Sequence, residues 1–504
     1  MKPRLLQHLL ENSAAQCPDK IALRHKNRTW TYAELWQKAR NLGQGLRQRG
    51  VVRGDRVGIC LDKSLEQVAA IFGALYADAA FVILNNVLRP EQMRHILQDC
   101  GVKLLITEEK YLGNIGATAA PPIYGAELNK ILETPGKPTP HNISEDIANI
   151  IYTSGSTGLP KGIVLTHRNL IDGAEIVSAY LKITADEKIL GLLPFNFDYG
   201  LNQLTAALYK GATLVLFQYF LPNSLLKILA DEEITGLAAI PPIWTAVFGG
   251  KLAETSKLHL PQLRYITNSG GKLPVPIVQK IRATFPQADL YLMYGLTEAF
   301  RSTYLDPREV DRRPESIGKA IPNVEVEIIN AAGQPCRPRE IGELIHRGAC
   351  IAKGYWNNPQ KTAEVYRPNP LLPPENQFLE TVVYSGDLVY KDEDGYLYFA
   401  GRKDNMIKTA GYRVSPTEVE EILLRLNGIQ DAVVFGVADA ELGYKIRAVV
   451  TLQTKISAEK IKEHCQTLAP PYLVPQEIFI ADSFPLTASG KIDRTSIIEE
   501  YQAK

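Results

Sequence analysis

The 504-residue sequence lacks a long hydrophobic run: its longest, Val68 to Ala77, is cut by Asp78 and falls well short of the ~20 residues that a membrane-spanning helix needs. It therefore reads as a buried helix. The chain also lacks an excess of charge of either sign, with 56 Lys plus Arg against 55 Asp plus Glu, so no basic field exists to hold a phosphate polymer or an anionic membrane. Nucleic acid and membrane insertion are both set aside. The six cysteines fall at 17, 60, 100, 336, 350 and 465 with no Cys-x-x-Cys and no histidine at zinc-finger spacing, which points to unpaired thiols in a reducing compartment. No apolar stretch follows Met1-Lys2-Pro3-Arg4, so the expectation is a cytoplasmic protein. Repeats of 20 to 50 residues are absent. Average Gly and Pro usage with 45% apolar residues excludes a disordered or fibrous chain.

What is present is a modular α/β pattern. At roughly 150 residues per domain, the length implies about three to four units. Leu5 to Ala15 has helical period, and Thr31 with Glu34 forms a capping-box pattern. Val57 to Leu61 reads as a strand, Leu65 to Tyr76 as a helix, Phe81 to Leu84 as a strand, Pro90 to Asp99 as a helix and Lys103 to Ile106 as a strand. Such alternation predicts right-handed βαβ units and a largely parallel sheet, resuming after Asn149 and running to about Arg301. From about Ser316 short strands separated by Gly and Asp turns predict a β-rich subdomain, including Val324 to Ile329, Glu343 to His346 and Leu397 to Phe399. The last hundred residues restart with Pro416 at a helix start, a helix Glu418 to Leu426, strands Ala432 to Val437 and Ile446 to Leu452, and a helix Ser457 to Leu468. The polar, Gly-bearing stretch Gly401 to Asn405 is expected to be the linker, giving a large domain 1–403 and a small mobile α+β domain 404–504.

The strongest chemical signal is Thr153-Ser154-Gly155-Ser156-Thr157-Gly158 followed by Lys161. Small hydroxyl residues offer free backbone N–H groups to an anion, and the lysine adds a point charge. A Walker loop would open a helix after its lysine, whereas Ile163-Val164-Leu165 reads as a strand, so an ordinary P-loop NTPase is disfavoured. Ser269-Gly270-Gly271 follows a strand, where glycine lets a flat base approach the backbone. Tyr294, Gly295, Thr297 and Glu298 place a ring, a hydroxyl and a carboxylate in one short stretch, the groups that adenine stacking, phosphate contact and magnesium binding require. Alone, Tyr294 reads as core and Glu298 as a solvated carboxylate. Asp387 and Arg402 could hold ribose hydroxyls as acceptor and rigid donor. No Gly-x-Ser-x-Gly elbow occurs.

Taken in order, Thr153 to Lys161, Tyr294 to Glu298, Tyr384 to Asp387, Gly401-Arg402-Lys403-Asp404 with Lys408 and Gly411, and Leu486 to Asp493 resemble the motifs of AMP-forming adenylating ligases across essentially the whole chain. That superfamily contains acyl-CoA synthetases, luciferase and nonribosomal peptide adenylation domains. In detail, Phe197-Asp198 and Tyr294 to Tyr304 resemble exosortase-associated acyl-CoA ligases and stand-alone ligases that load amino acids onto carrier proteins. The resemblance implies that a carboxylate attacks the α-phosphate of Mg-ATP, pyrophosphate leaves, and a thiol then captures the acyl-adenylate. It further implies that Thr153 to Gly158 and Lys161 hold the β and γ phosphates, Thr297 contacts phosphate, Glu298 ligates magnesium, Tyr294 stacks on adenine with Gly270 and Gly271 at its edge, and Asp387 with Arg402 binds ribose. Lys491 matches the catalytic lysine that bridges the substrate carboxylate and the α-phosphate. Asp404 matches the hinge, and Lys408 and Gly411 the thiol channel.

The family's acid pocket corresponds to Asp198, Tyr199, Asn202, Trp244, Asn268, Met293 and Arg301. A buried carboxylate is costly unless a cation pairs with it, so Asp198 suggests a small amino or imino acid; otherwise it caps the following helix or pairs with Arg301. Arg301 could alternatively receive a second substrate carboxylate. The acceptor is CoA or the phosphopantetheine arm of a carrier protein. The competing readings are an acyl-CoA synthetase acting on a fatty or other carboxylic acid, and a nucleotide-binding scaffold without catalysis.

Overall fold

The computed structural model describes residues 2–88, 90–116, 120–153, 160–219, 221–249, 260–405, 407–409, 412–439, 442–469, 471–487 and 489–504. Three sheets organise them. In the first, Pro122–Ile123, Leu104–Thr107, Arg56–Cys60, Ala80–Ile83 and Ile147–Thr153 run parallel in that order. Lys161–Thr166 closes the edge antiparallel. The helix Leu65–Tyr76 is capped by the Ser64 side chain and buried almost all round, as an apolar helix without a polar face must be. The capping box of Thr31 and Glu34 is formed at the start of Tyr32–Gln48.

The second sheet carries the candidate site. Its parallel half runs Ile21–His25, Thr213–Leu216, Lys188–Gly191, Gly236–Ala239, Tyr265–Asn268, Asp289–Tyr294. The sheet then turns antiparallel through Thr303–Leu305, Ser316–Ala320, Leu397–Arg402, Thr381–Lys391, Gly342–Gly348 and Val324–Ile329. The β-rich subdomain is thus continuous with the parallel sheet. Gly401 and Arg402 also depart from expectation: they pair with Leu388 and Asp387 as the end of a strand, and only Lys403–Asn405 forms a short turn. Partnering across the sheet outweighs the loop-forming bias of one glycine.

The third sheet orders Tyr412–Val414, Ile407–Thr409, Gly443–Leu452 and Ile429–Asp439, with Glu477–Ala481 parallel to Gly443–Leu452. Helices Pro416–Leu424 and Ala458–Leu468 cover it, and its apolar cluster of Val419, Leu423, Val434, Ile446 and Ile461 is distinct from the main core. The six cysteines are free thiols, five of them buried. Among the described residues no helix is long and apolar enough to cross a membrane.

Candidate active site

A cavity of about 710 Å³ opens where the parallel strands of the second sheet end, floored by Gly270, Gly271, Tyr294 and Thr297 and roofed by Glu421, Lys491 and Arg494 of the C-terminal residues. Ligand crevices of open α/β sheets form at these carboxyl ends. The strand Tyr265–Asn268 delivers Ser269 and Gly270, whose φ of +80° favours glycine. A Cβ there would also lie 3.3 Å from Cε of Lys491, so the missing side chain admits the lysine.

Asp289–Tyr294 delivers Tyr294, whose hydroxyl donates to Asp387. The Arg402 guanidinium donates to the same carboxylate at 2.6 Å and to the Ser385 carbonyl at 3.1 Å. Burial pushes the Asp387 carboxyl up, opposed by Arg402 and the Tyr294 hydrogen bond. Tyr294 is therefore neither plain core nor free: its ring is aimed by a buried carboxylate and faces the cavity. Behind it lies His346, with ring centroids 6.0 Å apart. Burial drives the pKa of His346 down to about 3, so the imidazole is neutral.

Glu298 is not the solvated carboxylate that it resembles in isolation. Its Oε1 accepts a 2.5 Å hydrogen bond from the Tyr355 hydroxyl, and its carbonyl accepts from the backbone of Ala352. Thr297 is buried in the same short turn. No local sequence signal marks Tyr355, whose place beside Glu298 depends on its bridge to Ile163 in the folded chain. Thr153 sits at the end of its strand directly opposite Lys161. The lysine therefore opens a strand rather than a helix. Ser154, Gly155, Ser156, Thr157 and Gly158 lie outside the described residues, as does Gly411. Asp404 falls in the turn Lys403–Asn405 and Lys408 in the strand Ile407–Thr409, paired with Arg413.

Lys491 is carried by a tight turn in which Leu486 and Ile492 bridge, Thr487 accepts from the backbone of Gly490 at 2.8 Å, and Thr487 Oγ1 accepts from that of Lys491 at 3.2 Å. Its ammonium lies 5.0 Å from the Phe197 ring centroid. Burial lowers its pKa, while the charges of Asp198 and Glu298 oppose that shift. One ammonium thus sits within electrostatic reach of the two carboxylates.

Asp198 is the first residue of the helix Asp198–Lys210, with Phe197 as the N-cap. Its carboxylate accepts from the backbone N–H groups of that first turn, at Tyr199 and at Asp198 itself. Gly200 makes this entry possible, because a Cβ would stand 2.1 Å from the Pro194 carbonyl oxygen. Asp198 is buried, and desolvation raises its pKa against the fields of Arg301 and Lys491. Arg301 does not close an ion pair with it: its Nε and Nη2 are buried without hydrogen-bond partners, and its guanidinium lies 4.7 Å over the Tyr199 ring. Asp198, Met293 and Arg301 line the cavity, whereas Tyr199, Asn202, Trp244 and Asn268 are buried but not on its wall. Asn202 Nδ2, Trp244 Nε1 and Asn268 Oδ1 are likewise unpartnered, which is uncommon for buried polar atoms.

Two family models match the chain: AMP-binding enzyme over residues 10–356 and AMP-binding enzyme C-terminal domain over 418–491. Gramicidin S synthase 2 of Brevibacillus brevis is 31% identical over 98% of the chain, which spans only 11% of that protein's length. The long-chain-fatty-acid–CoA ligase of Bacillus subtilis is 29% identical over 99% of the chain and 94% of its own. Among solved structures, the anthranilate CoA ligase AuaEII in complex with anthranoyl-AMP superposes with a TM-score of 0.90 at 26% identity, covering 99% of this chain and 97% of the other. A benzoate CoA ligase from Burkholderia xenovorans gives 0.88 at 25%, covering 98% and 99%.

Proposed function

The chain belongs to the AMP-binding enzyme family, and from that premise we propose that it is an ATP-dependent ligase that joins a carboxylic acid first to AMP and then to a thiol. The observation that carries this reading is the seating of Lys491 in the cavity, over Phe197 and against the space left by Gly270. In the first step a carboxylate oxygen attacks the α-phosphorus of ATP, the bond to the bridging oxygen breaks, and pyrophosphate leaves. In the second a thiolate attacks the acyl carbon and AMP departs. Two anions must meet in the first step, so the chief task is charge stabilisation by fixed groups. Lys491 supplies that charge where the substrate carboxylate meets the α-phosphate.

The remaining roles follow. Thr153 to Gly158 and Lys161 hold the β and γ phosphates, and Thr297 contacts phosphate. Tyr294, aimed by Asp387, stacks on adenine with Gly270, Gly271 and Gly295 at its edge. Asp387 and Arg402 hold the ribose. Among the described residues no cluster of three metal-ligating side chains forms; a single carboxylate, Glu298, fits magnesium, which is typically held by one or two carboxylates together with substrate phosphates. Such an ion would neutralise phosphate charge, and Tyr355 would fix the Glu298 oxygen that faces away from it.

For the acid, a buried Asp198 without a direct ion pair favours a substrate ammonium, hence a small amino or imino acid delivered to the phosphopantetheine of a carrier protein. The likeness to gramicidin S synthase 2 agrees with this. A second reading, an acyl-CoA synthetase, is supported by the near full-length likeness to the fatty-acid–CoA ligase. We place the boundary between the large and mobile domains at Lys403 and Asp404, with Asp404 as hinge and Lys408 and Gly411 along the thiol channel, in a cytoplasmic protein. Incubation with ATP, an acid and either CoA or a phosphopantetheinylated carrier protein, followed by mass spectrometry, tests the assignment. An acyl-adenylate and a thioester on one acceptor are expected; ATP left intact with amino, aryl and fatty acids alike would refute it.

A further inference from the structure

Among the described residues two ion pairs cross from the large body to the C-terminal residues, and both land on one face of the helix Pro416–Leu424 and its cap. Lys272 Nζ lies 2.5 Å from Glu421 Oε1, and Glu315 lies 3.7 Å from Arg425. Glu421 and Arg425 are four residues apart, one above the other on a helix surface. Their polarity alternates: the large body presents a cation to the first and an anion to the second. A one-turn slide of the helix would set like charges together, so the two pairs accept one register. The inner pair is mostly shielded, and the outer one is the more exposed.

The helix is also coupled to the catalytic lysine. Glu420, next to Glu421, accepts from Arg494 through both carboxylate oxygens, at 2.5 and 3.0 Å, and from the Val434 backbone at 2.7 Å. Arg494 stands three residues after Lys491, at the start of the helix Arg494–Gln502 that Asp493 caps. Lys491, Arg494, Glu420 and Glu421 are thus parts of one rigid unit, and Lys272 grips that unit from the loop that also carries Gly270 and Gly271.

We infer that the Lys272–Glu421 pair, supported by Glu315–Arg425, is a latch that positions Lys491 for adenylate formation and must open before a thiol can react. The inference rests on the proposed ligase reaction, yet it concerns a pose that is measurable without turnover. Neither residue takes part in bond making; both act through Lys491. Burial of Glu421, which raises its pKa against the pull of Lys272, favours release once the lysine is lost, because an unpaired buried carboxylate is costly.

The test uses the full chain with Cys17→Ser and spin labels at cysteines replacing the exposed Glu325 and Lys460, read by pulsed electron resonance. The parent, Lys272→Glu, Glu421→Lys and the double charge swap are compared, with ATP–pyrophosphate exchange in parallel. Each single reversal is expected to lengthen and broaden the interdomain distance and slow exchange about tenfold, the effect of about 1.4 kcal/mol, with little change in thioester formation from added adenylate. The swap restores the parental distance and, given coupling between contacting residues, most of the exchange. A direct phosphate role for Lys272 would not be rescued by the swap. Unchanged distances in both single variants, or no recovery in the swap, would overturn the latch. Parental distances that respond as expected without exchange by any acid would instead overturn the ligase reading and leave the latch standing.

Discussion

The Tyr355 hydroxyl donates to Glu298 Oε1 at 2.5 Å, joining the loop after the strand Gly342–Gly348 to the turn that follows Asp289–Tyr294. The hydrogen bond fixes which carboxylate oxygen is left to face the cavity. A hydrogen bond to a charged acceptor contributes ~1.5–3 kcal/mol.

Removing only that bond, Tyr355→Phe is expected to reduce exchange activity roughly tenfold, by the same hydrogen-bond scale, with a raised magnesium requirement. Titration of exchange against magnesium checks it; an unchanged magnesium dependence would show that Tyr355 is merely packed beside Glu298.

In the proposed function Asp198 governs acid selection. Its raised pKa makes it a carboxylate that protonates at higher pH than usual. Attraction for an ammonium is present above that pKa and lost as pH falls through it, so KM for an amino acid should begin to rise, on acidification, at a higher pH than an ordinary carboxylate would give. Asp198→Asn should abolish that pH dependence and raise KM for amino acids by about 100-fold, the ~2–5 kcal/mol scale of a lost buried charge pair. Equal KM values in parent and variant would exclude an ammonium partner.

In the proposed reaction Lys491 works as a cation, and burial lowers its pKa. Its charge is present below that pKa and lost above it, so adenylate formation should decline with rising pH earlier than an unburied lysine would allow. Lys491→Ala should slow the step by about 100- to 1000-fold, the scale of deleting one transition-state donor, while nucleotide binding measured by calorimetry stays close to the parent's. A variant that keeps full exchange would remove Lys491 from the chemistry.

Much of the scaffold was legible because it rests on local signals. The Thr31–Glu34 capping box and the helix Leu65–Tyr76 are written in cap residues and apolar pattern, and Val324–Ile329 in its β-branched alternation. Gly401–Arg402 was misread as linker because its pairing partners, Leu388 and Asp387, lie on another strand. At the site, motif residues such as Gly270, Tyr294 and Asp387 were readable by type and order. Tyr355 on Glu298 and the orphaned nitrogens of Arg301 were not, since both depend on where side chains point after the sheet has formed.

ATP–pyrophosphate exchange, measured for the full chain over a panel of amino, imino, aryl and fatty acids with the acid omitted as the control, tests the ligase assignment most directly. Acid-dependent incorporation of labelled pyrophosphate into ATP, strongest with a small amino or imino acid, is the predicted result. Exchange with none of the acids, in protein shown to be folded, would contradict the central claim.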